Sequence, residues 1–159
     1  MRATIDIFLS GAQYRKCLKG ALAPIQRRYR LMRLEIEILF YLMDATEANN
    51  RLRDIVRLEG FNKGQVSRAV SRLEEMGIVS RRLDTQDSRV QHIDILPGNE
   101  ALLRDVAQAY RGVNDMIYRN ISDEEIAAFR ATAGRIADNM AAALADERLA
   151  ATQAEDDPQ

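Results

Sequence analysis

Lys63, Gly64, Gln65, Ser67, Arg68, Ser71 and Arg72 place cations, an amide and two hydroxyls on a stretch whose spacing gathers them on one side of a helix. Their chemistry is hydrogen bonding without a reaction. Arg or Lys can bond guanine O6 and N7, and Gln can bond adenine N6 and N7, in the major groove of a duplex. Just downstream, Arg81, Arg82, Asp87 and Arg89 surround a short polar tip. Such a tip suits contact with a phosphate backbone or a minor groove. Taken by itself, the helix also reads as an ordinary solvated face, and it is the pairing with the tip that favours DNA.

The elements that hold these residues follow from periodicity. Val66, Ala69, Val70, Leu73 and Met76 recur at the spacing of one buried helical face, which turns the polar set outward. Asn62 with Gln65 marks an N-terminus, Phe61 and Val66 occupy staple positions, and the helix is expected to begin at Lys63. Gly77 supplies the left-handed stop. Residues 78–83 and 89–95 read as strands joined by the polar turn 84–88. Upstream, Leu52, Ile55, Val56 and Leu58 form a short helix ended by Gly60. The two helices make a helix-turn-helix, and the hairpin is its wing.

The run from Val66 to Arg82, with Arg72-Leu73-Glu74 and Gly77-Ile78-Val79 as its most diagnostic part, resembles the recognition helix and wing of the MarR family of bacterial transcription regulators. The resemblance implies a wing aspartate, Asp87, that orients a minor-groove arginine, Arg89. Pro24, Leu31 and Glu35 stand at the family's proline, leucine and glutamine positions, while Met32 replaces its usual capping threonine. At the elbow, Ile95-Leu96-Pro97-Gly98-Asn99 departs from the family's Leu-Thr and glycine. The implied function is sequence-specific binding of an inverted repeat in double-stranded DNA, most often as a repressor, with release by a small effector.

Around this lobe lie helical segments. Thr4 to Leu22 reads as a helix that Pro24 interrupts or that yields there to the next segment. Leu34 to Leu42 carries more than one apolar face and is expected between two partners. Leu102 to Ile117 forms a stripe, and Ser122 with Glu125 caps a further helix through Ile126, Phe129, Ala133, Ile136, Met140 and Leu144 to about Ala150. A helix of that length on a small lobe needs something to pack on, either a second copy across a two-fold axis or the other terminal helix of its own chain. The expected architecture is mainly α with a β-hairpin wing. Residues 33–96 form the winged helix-turn-helix, 1–32 and 97–152 a helical dimerisation region, and 153–159 a disordered acidic tail.

Charge is segregated along the 159 residues, whose net value is −1. Between Gly11 and Arg33 stand seven basic residues and no acid, whereas Asn120 to the end holds nine acids against three arginines. The local field, and not the total, governs an approach to DNA. The basic segment has two readings: it holds DNA backbone, or it presents an arginine to an anionic, aromatic ligand in a crevice lined by Phe8, Arg15, Arg33, Phe40 and Tyr110. One cysteine and one histidine exclude an internal disulfide and a four-ligand zinc site within the chain, so no cofactor or metal is expected. Cys17, beside Arg15, Lys16 and Lys19, reads as an ordinary helical cysteine ahead of a reactive thiol, and His92 as an exposed strand residue ahead of a further phosphate contact. No run of 18 apolar residues occurs, so no membrane partner is expected and the location is expected to be cytoplasmic. No nucleophile with a base, carboxylate pair or phosphate-binding glycine loop is visible, which argues against an enzyme. The rival from another class is a winged helix that binds protein and has lost DNA.

Overall fold

A computed structural model describes the backbone of residues 2–57, 62–85, 87 and 90–155, and the side chains of 11–56, 62–85, 87 and 90–145. Its elements are α1 (Arg2–Tyr29), α2 (Arg33–Met43), α3 (Leu52–Arg57), α4 (Lys63–Glu75), β1 (Val79–Leu83), β2 (Gln91–Ile95), α5 (Glu100–Ile117) and α6 (Asp123–Glu155). Their contacts divide the chain into Met1–Asp115 and Met116–Gln159.

In the first unit, α2 packs on α1, α4 and β2, and α4 on α3 and β1. The wide apolar surface of α2 is thus used on several sides: Ile36, Ile38 and Leu39 are fully buried, together with Val66, Val70 and Leu73 of α4. Each such aliphatic side chain contributes roughly 1.5–3 kcal/mol of burial. β1 and β2 pair antiparallel with Val79 opposite Ile95 and Leu83 opposite Gln91. Arg51 adds a bridge to His92, so a third strand-like edge lies against the wing. The architecture is a winged helix-turn-helix, mainly α with a two-stranded hairpin.

α1 corrects the sequence reading. It runs through Pro24 without ending, and its buried side is formed by Leu18, Leu22 and Ile25. Proline removes the N–H that would reach the carbonyl four residues back and crowds that carbonyl with its ring, and the packing of Leu18, Leu22 and Ile25 carries the helix past this local cost. The helix stops instead at Arg30, a non-glycine residue with φ 56°, where Leu31 N–H closes on the Gln26 carbonyl. α2 begins at Met32 without a side-chain cap of its own, and Glu35 accepts the Met32 N–H at 2.7 Å in its place.

α4 begins and ends where its sequence signals put it. Asn62 Oδ1 accepts the Gly64 N–H at 2.7 Å. At the other end Gly77, with φ 69°, donates to Glu74 O while Ile78 N–H reaches Leu73 O. That pair of bonds is a Schellman stop, and it sends the chain straight into β1. Leu58 to Phe61, including the staple residue and Gly60, lie outside the described residues.

In the second unit, Ser122 and Glu125 make the reciprocal capping box that starts α6. This helix runs to Glu155, so the first residues of the expected tail, 153–155, are helical, and 156–159 lie outside the described residues. Phe129, Ile136, Met140 and Leu144 are all exposed along it.

Candidate nucleic-acid interface

The outward side of α4 separates into two groups. Lys63, Gln65 and Arg68 are exposed, and no hydrogen bond or ion pair holds their side chains among the described residues. Gly64 lies between them, and a Cβ there would come within 3.1 Å of Asn62 Oδ1, so its bare backbone is also what the cap tolerates. These four positions present donors and acceptors to whatever lies outside.

Arg72 belongs to the other group, and here the helical wheel misleads. Its Nη1 donates to both oxygens of Glu35 at 2.7 Å, and Nη2 donates to the Arg30 carbonyl at 2.7 Å. The Glu35 side chain is only 1% exposed. Arg72 therefore ties the recognition helix to α2 and to the end of α1, with its guanidinium at the surface and engaged by both. Ser71 likewise turns inward and donates to the Ser67 carbonyl. Arg81, expected at the wing, reaches back to α4: Nη1 donates to Glu74 Oε2 at 2.5 Å, and Nη2 to Ser71 Oγ at 2.8 Å and the Ser67 carbonyl at 3.3 Å. Arg82 donates to Asp94 and Glu47. That pairing with two carboxylates raises its pKa, the Asp94 hydrogen bond leading. Of the basic residues assigned to DNA, Arg72, Arg81 and Arg82 thus hold the fold, and Lys63 and Arg68 face out.

At the wing, Asp87 is exposed and its N–H donates to Asp84 Oδ1 at 3.0 Å. Arg89 lies outside the described residues. His92 corrects its sequence reading: it is 2% exposed, with Nδ1 at 2.5 Å from Asn50 Oδ1 and Nε2 at 2.9 Å from Asp84 Oδ2. The alternation of β2 fails here because Asn50 and Arg51 cover the face that a free hairpin would expose.

A cavity of about 690 Å³ opens beside α4, lined by Gln65, Arg68 and Arg72 with Arg15, Arg33 and Glu35, and two further cavities bear on the sequence reading. One of about 520 Å³ is lined by Arg15, Arg33, Phe40 and Tyr110 among others, four of the five residues assigned to a ligand crevice. The Phe40 and Tyr110 rings stack with centroids 3.7 Å apart and planes 6° from parallel. The side chain of Phe8 lies outside the described residues. Arg33 also bonds Glu37 at 2.5 Å, so its charge is partly satisfied there. The second cavity, about 480 Å³, brings together Arg51, Arg53 and Lys63, of which only Lys63 was singled out from sequence. The buried Arg51 Nε has no hydrogen-bond partner among the described residues. Two arginines bracketing the start of a short helix were the available signal. Cys17 is half-buried, and no cluster of metal-binding side chains occurs among the described residues.

A family model described as transcriptional regulator SarA/Rot matches residues 21–103. No curated protein matches the sequence. Among solved structures, a MarR-family transcriptional regulator from Rhodococcus sp. RHA1 is similar at TM-score 0.67 and 23% identity, covering 86% of this chain and 94% of its own. The MepR–DNA complex of S. aureus is similar at TM-score 0.64 and 16% identity, with coverage of 87% and 98%. CouR from Rhodococcus jostii RHA1, bound to p-coumaroyl-CoA, gives TM-score 0.65 and 23% identity, with coverage of 84% and 91%. At these identities the likeness to solved structures is one of fold.

Proposed function

The chain belongs to the SarA/Rot family of transcriptional regulators, and from that premise we propose that it binds double-stranded DNA as a homodimer and is released by a small molecule. α4 enters the major groove, where Gln65, Arg68 and Lys63 meet base edges and Gly64 lets the backbone approach. The wing lies along the flanking minor groove with Asp87 and Arg89. The observation that carries the reading is the open side of α4, where the side chains of Lys63, Gln65 and Arg68 have no partner within the chain among the described residues, while Arg72, Arg81 and Arg82 are tied down.

Two copies, joined through the terminal helices of the 1–32 and 97–152 segments, present two recognition helices to half-sites roughly one helical turn (~34 Å) or a multiple apart. The exposed apolar stripe of α6 supports this pairing. The effector enters the cavity of about 520 Å³ beside the Phe40–Tyr110 stack, with Arg15 and Arg33 meeting its negative charge. A volume of that order is what a small organic ligand occupies. The protein acts by binding, without catalysis, and most simply as a repressor. No helix among the described residues is long and apolar enough to cross a membrane, which accords with work in the cytoplasm.

The test is selection of duplexes from a randomised pool at about 0.15 M salt, a strength at which sequence-independent phosphate binding is weakened. The purified chain and the Arg68→Ala, Arg89→Ala double variant are run side by side. An inverted repeat enriched by the first and lost with the second is the expected result. No enrichment by either, from protein that native mass spectrometry finds free of ligand, would remove the DNA reading in favour of a protein-binding winged helix.

A further inference from the structure

His92 lies at the root of the wing, buried between two acceptors. Asn50 spends its amide Nδ2 on Asp94 Oδ1 at 2.8 Å, which leaves Asn50 Oδ1 facing the imidazole Nδ1. Turning the amide over would set its oxygen against the Asp94 carboxylate, which already pairs with the Arg82 guanidinium, so the orientation is fixed by chemistry. On the other side Nε2 faces Asp84 Oδ2. Two acceptors require two N–H donors, and an imidazole has two only when protonated.

The carboxylate that receives Nε2 also holds the wing turn. Asp84 Oδ1 accepts the Asp87 N–H, the Asp84 N–H closes on Val90 O, and Val90 N–H closes on Asp87 O. We propose that His92 is held as an imidazolium between Asn50 and Asp84 and positions the wing turn, so that the grip on DNA weakens when the ring loses its proton. The inference rests on the DNA reading given above. Loss of the Nδ1 proton sets a lone pair against Asn50 Oδ1, where both groups are buried, and loss of the Nε2 proton sets one against Asp84, whose side chain is 22% exposed. The contact is therefore full on the acid side and is lost as pH rises.

The other charges near the ring come from each element packed on it. Arg82 of β1 is its register partner and is held by Asp94 and Glu47. Arg51 bridges it by backbone and donates its own N–H to Asp54, whose charge Tyr41 of α2 also senses. Asp87 completes the set at the turn. Among the described residues, Asp84 is the one carboxylate bonded directly to the imidazole.

The test has a part without DNA and a part with it. Ring ¹⁵N shifts of His92 and hydrogen exchange of the Asp87 amide are followed between about pH 5.5 and 8.5, the range in which imidazoles commonly titrate. Binding of the selected duplex is measured over the same range. The expected result is an imidazolium signal at the acid end, Asp87 protection that falls as this signal is lost, and affinity that drops roughly tenfold over the same interval, the order set by one charge-assisted hydrogen bond. His92→Gln, which cannot titrate, should flatten the binding profile. Asp84→Asn, which keeps an oxygen for the Asp87 N–H but removes the charge facing Nε2, should move the fall to lower pH. A ring already neutral at the acid end in wild type, or the same pH profile in His92→Gln, overturns the proposal; should that variant not fold, the wild-type ring signal decides. Ring and amide titrating together with no duplex selected would support the positioning role while removing the DNA reading.

Discussion

Replacing Arg72 by Met keeps a long side chain in α4 but strands Glu35, whose side chain is 1% exposed and loses both contacts at 2.7 Å to the guanidinium. What remains to Glu35 is the Met32 N–H. Breaking a buried pair costs about 3–5 kcal/mol when both members are desolvated. The Arg72 side chain is 37% exposed, which lowers its share of the desolvation, so the expected loss is about 2–4 kcal/mol. The Arg30 carbonyl also loses its donor, at a turn already held in the left-handed region. The assay is urea unfolding followed by circular dichroism at one fixed protein concentration, since association of copies would otherwise shift the midpoint. Arg72→Met, Glu35→Gln double replacement should recover part of the loss, because the stranded charge is gone. A single-variant loss below about 1 kcal/mol, or a double variant no better than the single, would refute the view that Arg72 is committed to the fold.

Arg68→Ala should leave unfolding unchanged and weaken duplex binding by about 1–3 kcal/mol with relaxed preference at one base position; titration against single-base variants of the selected duplex checks it. Gly77→Ala meets no neighbouring atom but forces a Cβ into φ 69°, so urea unfolding should show a loss of about 1 kcal/mol from strain alone. Met140→Glu, on the exposed side of α6, should shift sedimentation toward monomer, and an unchanged dimer would place the association elsewhere. A stable monomer of the unaltered chain would sink the two-copy reading outright.

Legibility from sequence followed how locally each feature is determined. α4 was legible because its apolar spacing, its Asn62 cap and its Gly77 stop all lie within the element and all agree. The Ser122–Glu125 start of α6 was legible for the same reason. α1 was not, because whether a helix survives Pro24 depends on tertiary packing of Leu18, Leu22 and Ile25. Arg72 was misplaced since a helical wheel fixes the Cα direction, while a long flexible side chain can carry its charge around to another helix. His92 was misread because the alternation rule assumes a bare hairpin, and residues 50 and 51, some forty positions away, cover it. Phe40, Tyr110, Arg15 and Arg33 were chosen on a family likeness and charge, and they line one cavity.

The brace from Arg81 to Glu74, Ser67 and Ser71, with the Schellman joint at Gly77, makes α4 and the hairpin a single tool with a fixed reach. Everything that sets this reach faces inward, and the side chains at 63, 65 and 68 take no part in it. What the tool reads and how far it stretches are therefore stored in different residues. On the DNA reading proposed above, substitutions at those three positions should change the preferred sequence while leaving the Arg81 brace in place.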